Sequence, residues 1–138
     1  MLFGKTQRQR PRKTVVIKRI AADGIITFSK TWHPNEAILV LQGKSDRKNN
    51  QIIVESLVIP PFTSNGPFFS GFSMHNLPFD SSYIGTAHSH PGPSNRPSLE
   101  DLNHFFGLVS VIIHHPYEYD TIGAYDRNGD GMEIEISD

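Results

Sequence analysis

Between Tyr83 and Phe106 the chain changes character twice, and this stretch constrains the fold more than any other. Tyr83 to His90 reads as a strand, apolar in its middle and closed by His88-Ser89-His90. Pro91 to Pro97 holds three prolines and a glycine, so it can neither continue a sheet ladder nor enter a helix. Ser98-Leu99-Glu100-Asp101 then reads as a helix start, with Ser98 at the N-cap and Asp101 at the third helical position, and the helix is expected to run to Phe106. Side chains alternate along a strand, so His88 and His90 point to one face, about 6.6–7 Å apart along the backbone. A strand end, an irregular loop and a helix start thus follow one another directly after two imidazoles that share a face.

The rest of the chain supplies the frame. From Thr14 to His33 the apolar positions Ile17, Ile20, Ala21, Ile25 and Phe28 recur in steps of three and four, which predicts one helix with a single buried stripe. Ala37 to Gln42, followed by Gly43, and Gln51 to Ile59 have the length of strands, with a charged loop over Ser45 to Asn50. Pro60 to Asp80, rich in Pro, Gly, Ser and Phe, reads as a long surface excursion with an extended piece near Phe72–His75. Its Phe68, Phe69 and Phe72 are available either to a partner or to the core. Val109 to His114 is a further strand, and Thr121–Tyr125 with Met132–Ile136 a hairpin around Asn128-Gly129. Interspersed helices and strands imply an α/β or α+β fold with a mixed sheet, in one domain over 14–138.

Composition narrows the chemistry. There is no cysteine, so there is no disulfide and no thiolate metal site; any metal must be held by His, Asp or Glu. The absence of cysteine, of a secretory leader and of any apolar run near the ~20 residues of a membrane span fits a cytoplasmic protein. Lys5, Arg8, Arg10, Arg12 and Lys13 put five cations and no acid into residues 1–13, which read as a flexible basic tail. The other eight cations face fourteen acids, and so mildly acidic a body is a poor start for a nucleic-acid enzyme.

His88, His90 and Asp101 are all good zinc ligands, and three protein ligands are what a catalytic zinc site keeps, with water in the fourth position. Taken separately, each part has a plain explanation. Seven histidines in a chain of this length produce a His-x-His by chance in roughly one case in three. Asp101 can be a capping-box residue, a ligand, or both. Rival His-x-His patterns fit poorly. A metallo-β-lactamase pattern needs Asp and His where Gly92 and Pro93 stand, a cupin needs Glu near Ser94 and Asn95, zinc deaminases need cysteines, and the chain is too short for a barrel amidohydrolase. Asp126-Arg-Asn128-Gly-Asp130-Gly131 opens like an EF-hand loop, but its twelfth position is Ser137, so a turn is expected. His114 and His115 are adjacent in a strand and face opposite sides. His75 and His104 read as structural or surface residues, and Trp32 as core or helix-end packing.

His88-x-His90, seven residues, Ser98-x-x-Asp101 resembles the signature of the JAMM (MPN+) metalloproteases, spacing included. His33-Pro34-Asn35-Glu36 before Ala37 to Gln42 and Gly43 resembles the Pro-x-Glu segment that in this family opens a strand ending in Gly. The resemblance covers about residues 15–136 and is to the small stand-alone prokaryotic, archaeal-type members. It implies a three-layer fold like that of cytidine deaminases, with a central mixed sheet flanked by helices. It also implies one zinc per chain on His88, His90 and Asp101, Glu36 as general base, and Ser98 as a donor to the oxyanion. On the residues alone Glu36 does not stand out from Glu55, Glu100, Glu133 or Glu135. Asn95 departs from relatives that carry Cys in this loop, which touches only redox sensitivity. The implied activity is an isopeptidase cutting between a ubiquitin-like β-grasp modifier and a lysine, the modifier's extended C-terminal tail adding as a strand to an edge or lid at Pro60–Asp80. The alternatives are a hydrolase trimming a sulfur-carrier precursor and a non-catalytic MPN-type binding module.

Overall fold

The computed structural model describes residues 12–60 and 81–138. Strand β1 (Thr14–Lys18) runs directly into helix α1 (Arg19–Trp32), followed by β2 (Ile38–Asp46), β3 (Gln51–Val58), β4 (Tyr83–His90) and helix α2 (Leu99–Asn103). Then come β5 (Val109–His114), a 3₁₀ turn (Tyr119–Thr121), β6 (Ile122–Tyr125), β7 (Gly131–Met132) and β8 (Ile134–Ser137). The described strands form one mixed sheet in the order β7-β6-β5-β4-β2-β3-β1-β8. The excursion at 61–80 with its phenylalanines and His75, and tail residues 1–11, lie outside the described residues. Arg12 and Lys13, expected to be part of that tail, are tied to the body: Arg12 Nη1 donates to Gly131 O, and Lys13 Nζ to Ser45 Oγ at 2.8 Å.

The expected helix over Thr14–His33 is corrected to a strand and a shorter helix. Val15, Val16 and Ile17 are buried in succession, because β1 is paired on both edges, by β3 and β8, and covered on both faces. A helix could bury only one stripe of that run, and β-branched residues favour the extended form. Ile20, assigned to the stripe, is 78% exposed. From Arg19 onward the periodicity holds: Ala21, Ala22, Ile25 and Ser29 are buried. Gly24 brings α1 close to β3, since a Cβ there would lie 2.7 Å from Leu57 Cδ1.

Two further boundaries move. β2 continues past Gly43 to Asp46, with a register shift between Gln42 and Gly43. Only glycine fits there, because a Cβ would lie 1.8 Å from Ile53 O. α2 stops at Asn103, short of Phe106, and the chain turns at Gly107, whose φ of 76° is left-handed, to enter β5.

The expected hairpin at Met132–Ile136 divides at Glu133. Gly131 and Met132 pair with β6, whereas Ile134 to Ser137 pair parallel with β1 at the other end of the sheet. One residue thus joins the two outermost strands, so the sheet's edges come within about 7–8 Å, two Cα steps, of each other. α1 touches β1, β3, β4, β5 and β8, strands from both halves, which fits a sheet curled around it. The main core fills that concavity: Val15, Ile17, Ala21, Ile25, Leu39, Leu41, Val54, Ala87, Val111 and Ile113.

Candidate metal centre

β4 is an interior strand, antiparallel to β2 and parallel to β5. Its alternate residue Ala87 joins the main core, while His88 lies on the opposite face, level with Ile38 and Ile112. The His88 and His90 rings have centroids 5.1 Å apart. The first turn of α2 brings buried Asp101 to both: Oδ1 is 3.0 Å from His88 Nε2, and Oδ2 is 3.1 Å from His90 Nε2. One ligand atom from each of the three lies within 4.8 Å of the others. Two ligands at ~2.0–2.1 Å from a tetrahedral zinc stand roughly 3.3 Å apart. The triad therefore has the donors and the spacing of one zinc site that keeps a position for water.

The hydrogen bonding supports that fit. His90 Nδ1 lies 3.1 Å from Ser94 O, and a carbonyl only accepts, so Nδ1 carries the hydrogen. In the neutral ring Nε2 then holds a lone pair aimed at a carboxylate oxygen, and a cation must sit between them, a proton or a metal ion. Burial pulls the His90 pKa down, but its bonds to Asp101 and Ser94 outweigh this and leave it raised. Burial pushes Asp101 up, yet hydrogen bonds from His88, His90 and the Ser98 N–H hold its carboxyl well below the usual carboxylate range.

Ser98 caps α2. Its Oγ accepts from Asp101 N at 3.1 Å while Asp101 Oδ2 accepts from Ser98 N at 2.8 Å. Cap and candidate ligand are thus the same carboxylate. The Ser98 hydroxyl proton is not used by the cap. Glu36, half-buried before β2, lies within electrostatic reach of these three residues. Burial raises its pKa, the charges of His88 and His90 draw it back, and Asp101 and Glu100 push it further up.

Sequence reasoning missed what puts Glu36 there. Ser89, between the two histidines, is fully buried; its Oγ accepts from Ala37 N at 2.9 Å and its N–H donates to Ala37 O at 3.0 Å. Glu36 is therefore carried by a residue stitched to the middle of the His-x-His. On its other side, a 2.7 Å hydrogen bond joins His33 Nδ1 to the Oη of buried Tyr117, and the His33 ring stacks on His115. Tyr117 has a left-handed φ of 67°, a conformation uncommon for a bulky residue. Nothing local in the sequence marks Ser89 or Tyr117, because their partners are set by strand register and chain path.

The sequence profile described as prokaryotic homologs of the JAB domain matches residues 18–125. The chain belongs to this family. A probable metalloprotease of Haloferax volcanii is 32% identical over 134 residues, spanning 94% of this chain and 83% of its own. A JAB1/MPN domain protein from Archaeoglobus fulgidus, solved by crystallography, is 34% identical over 88% of this chain and 98% of that one, with a TM-score of 0.65. A structure described as JAMM, a metalloprotease-like zinc site in the proteasome and signalosome, is 29% identical over 91% of this chain and all of that one, with a TM-score of 0.66. The fold is accordingly the JAB/MPN fold that the resemblance implied.

Other candidates in this JAB-domain chain stay outside the cluster. Asp126 Oδ1 accepts from Asn128 N and Asp130 N at 2.9 and 3.0 Å, the turn expected in place of an EF-hand. His114 donates from Nδ1 to His115 O, and His104 from Nδ1 to Glu100 O. Trp32 ends α1 against Phe28, with centroids 5.9 Å apart. Among the described residues, no helix is long and apolar enough to cross a membrane.

Proposed function

We propose that this chain is a zinc metallopeptidase of the JAMM type that hydrolyses an isopeptide bond between the C-terminus of a ubiquitin-like modifier and a lysine. The observation that carries the reading is the half-buried Glu36 within electrostatic reach of a His-His-Asp set in which His88 and Asp101 are buried and His90 partly so. Burial raises the Glu36 pKa, the direction that suits a general base. His88, His90 and Asp101 would hold zinc, which when bound supplies Lewis acidity and a water that ionises near neutral pH. Glu36 takes a proton from the attacking water and delivers it to the departing lysine amine, so one water is consumed and a carboxylate and an amine are released. Ser98 donates its hydroxyl hydrogen to the oxygen on which negative charge builds.

The test combines metal content with cleavage of a modifier–lysine conjugate. About one zinc per chain is expected, with Glu36→Gln retaining zinc and losing activity. Full activity in Glu36→Gln overturns the base assignment. Cleavage confined to a sulfur-carrier precursor moves the substrate, and a metal-free chain that binds a modifier without cutting it establishes the binding module.

A further inference from the structure

Among the described residues, the loop from Pro91 to Pro97 makes no backbone–backbone hydrogen bond. It nevertheless holds Ser94 O against His90 Nδ1 and delivers Asp101 to both imidazoles. Asn95 ties it down. Its Nδ2 donates to Thr121 O at 2.9 Å, and its Oδ1 accepts from Tyr125 Oη. Thr121 immediately precedes β6 and Tyr125 ends it. Between them is Gly123, where a Cβ would come within 2.8 Å of Tyr125 Oη and 3.0 Å of Asn95 Cγ. Glycine thus leaves a bed for the amide. That bed is level with His88 across the sheet, since Gly123 pairs with Ile112 and Ile112 with His88.

We infer that Asn95 is a positioning residue for the metal centre. By bridging Thr121 and Tyr125 it sets the height of the loop above β6, and so keeps the neighbouring Ser94 carbonyl where it receives the His90 Nδ1 hydrogen. That bond fixes the tautomer that leaves Nε2 free to bind metal. Such outer partners typically change metal affinity 10–100-fold when removed. The inference rests on His88, His90 and Asp101 being the zinc ligands, and not on which bond is cut.

The test is zinc affinity of the full chain, read by competition with a chelating indicator, together with the visible spectrum of the cobalt-substituted protein. Asn95→Ala and the similar-sized Asn95→Leu are expected to bind zinc about 10–100-fold more weakly and to shift the cobalt bands. Tyr125→Phe, which keeps the Thr121 bond, should lose less, and Asn95→Ala/Tyr125→Phe should be no weaker than Asn95→Ala alone. Should Asn95→Ala fail to fold, Asn95→Leu and Tyr125→Phe carry the same comparison. Unchanged affinity and spectrum in a wild-type chain that holds zinc, even with a lowered melting temperature, make Asn95 a loop anchor and overturn the inference. Additive losses in the double variant overturn the bridge through Tyr125. A wild-type chain that takes up no zinc overturns the ligand assignment itself, and this inference with it.

Discussion

Asp101 accepts from the helix cap and faces His90 with one oxygen, and faces His88 with the other. Its lowered pKa means that its contribution to stability is present above the unfolded value near ~3.9 and is lost as pH falls through the folded value. His90 has the opposite sign: its raised pKa contributes below the unfolded ~6.5 and is lost as pH rises through the folded value. Through these two groups the metal-free chain should be most stable between about pH 4 and 6.5 and weaker at pH 8. Zinc requires neutral histidines, so its stabilisation should grow over the same rise. Thermal melts at pH 5.5 and 8, with chelator and with zinc, check both signs; a chelated protein that gains stability toward pH 8 contradicts the assignment. Ser89→Ala leaves the Ala37 N–H buried without its acceptor and should cost about 1–3 kcal/mol. Chemical denaturation of the metal-free variant measures it, and a loss under a few tenths of a kcal/mol would mean that the bond is not needed to hold Glu36's segment.

At the scale of elements, the two close glycines should respond differently. A methyl group at Gly43 meets the Ile53 carbonyl, which belongs to a paired strand and cannot step aside, so Gly43→Ala should lose about 1–3 kcal/mol or more. At Gly24 the obstacle is the flexible end of Leu57, and the helix gains about 1 kcal/mol in propensity, so Gly24→Ala should stay within about 1 kcal/mol of wild type. Denaturation midpoints of the two variants decide this, and equal losses would refute the distinction. Gly43 also shows why element ends were hard to read. It looked like a strand end in the sequence, and it is a bulge inside β2 whose need for glycine comes from the carbonyl of β3. Thr14–Lys18 has a helical pattern for a related reason: steps of three and four span the β1–α1 junction, and only pairing with β3 and β8 makes those residues a strand.

For the whole molecule, the centre couples distant parts of the chain. The triad joins an interior strand to α2, and Ser89 joins the same strand to the segment carrying Glu36. Zinc bound only by the folded chain should therefore stabilise the domain as a unit, by about 4 kcal/mol at a free concentration 1,000 times its dissociation constant. Differential scanning calorimetry with and without chelator should show one transition moving intact. A split transition would mean that the loop and α2 melt apart from the sheet. The sheet adds a second long-range link, since Glu133 passes the chain from β7 to β8 and brings the outermost strands together. A hairpin was the natural reading of that segment, because nothing within it indicates that β1 offers an unpaired edge.

Spacing and residue type alone offered the candidate donors and their local support. Alternation put His88 and His90 on one face, prolines forced the loop, Ser-x-x-Asp began a helix, and the lack of cysteine left only nitrogen and oxygen ligands. These effects act over a few residues and need no partner. The tertiary structure decided the rest. It brought Glu36 within electrostatic reach of His88, His90 and Asp101, held Ala37 to Ser89 across 52 positions, bound Asn95 to Thr121 and Tyr125, and joined the outermost strands of the sheet through Glu133. Each of these depends on register, and register is fixed only when all the strands bury their apolar faces together.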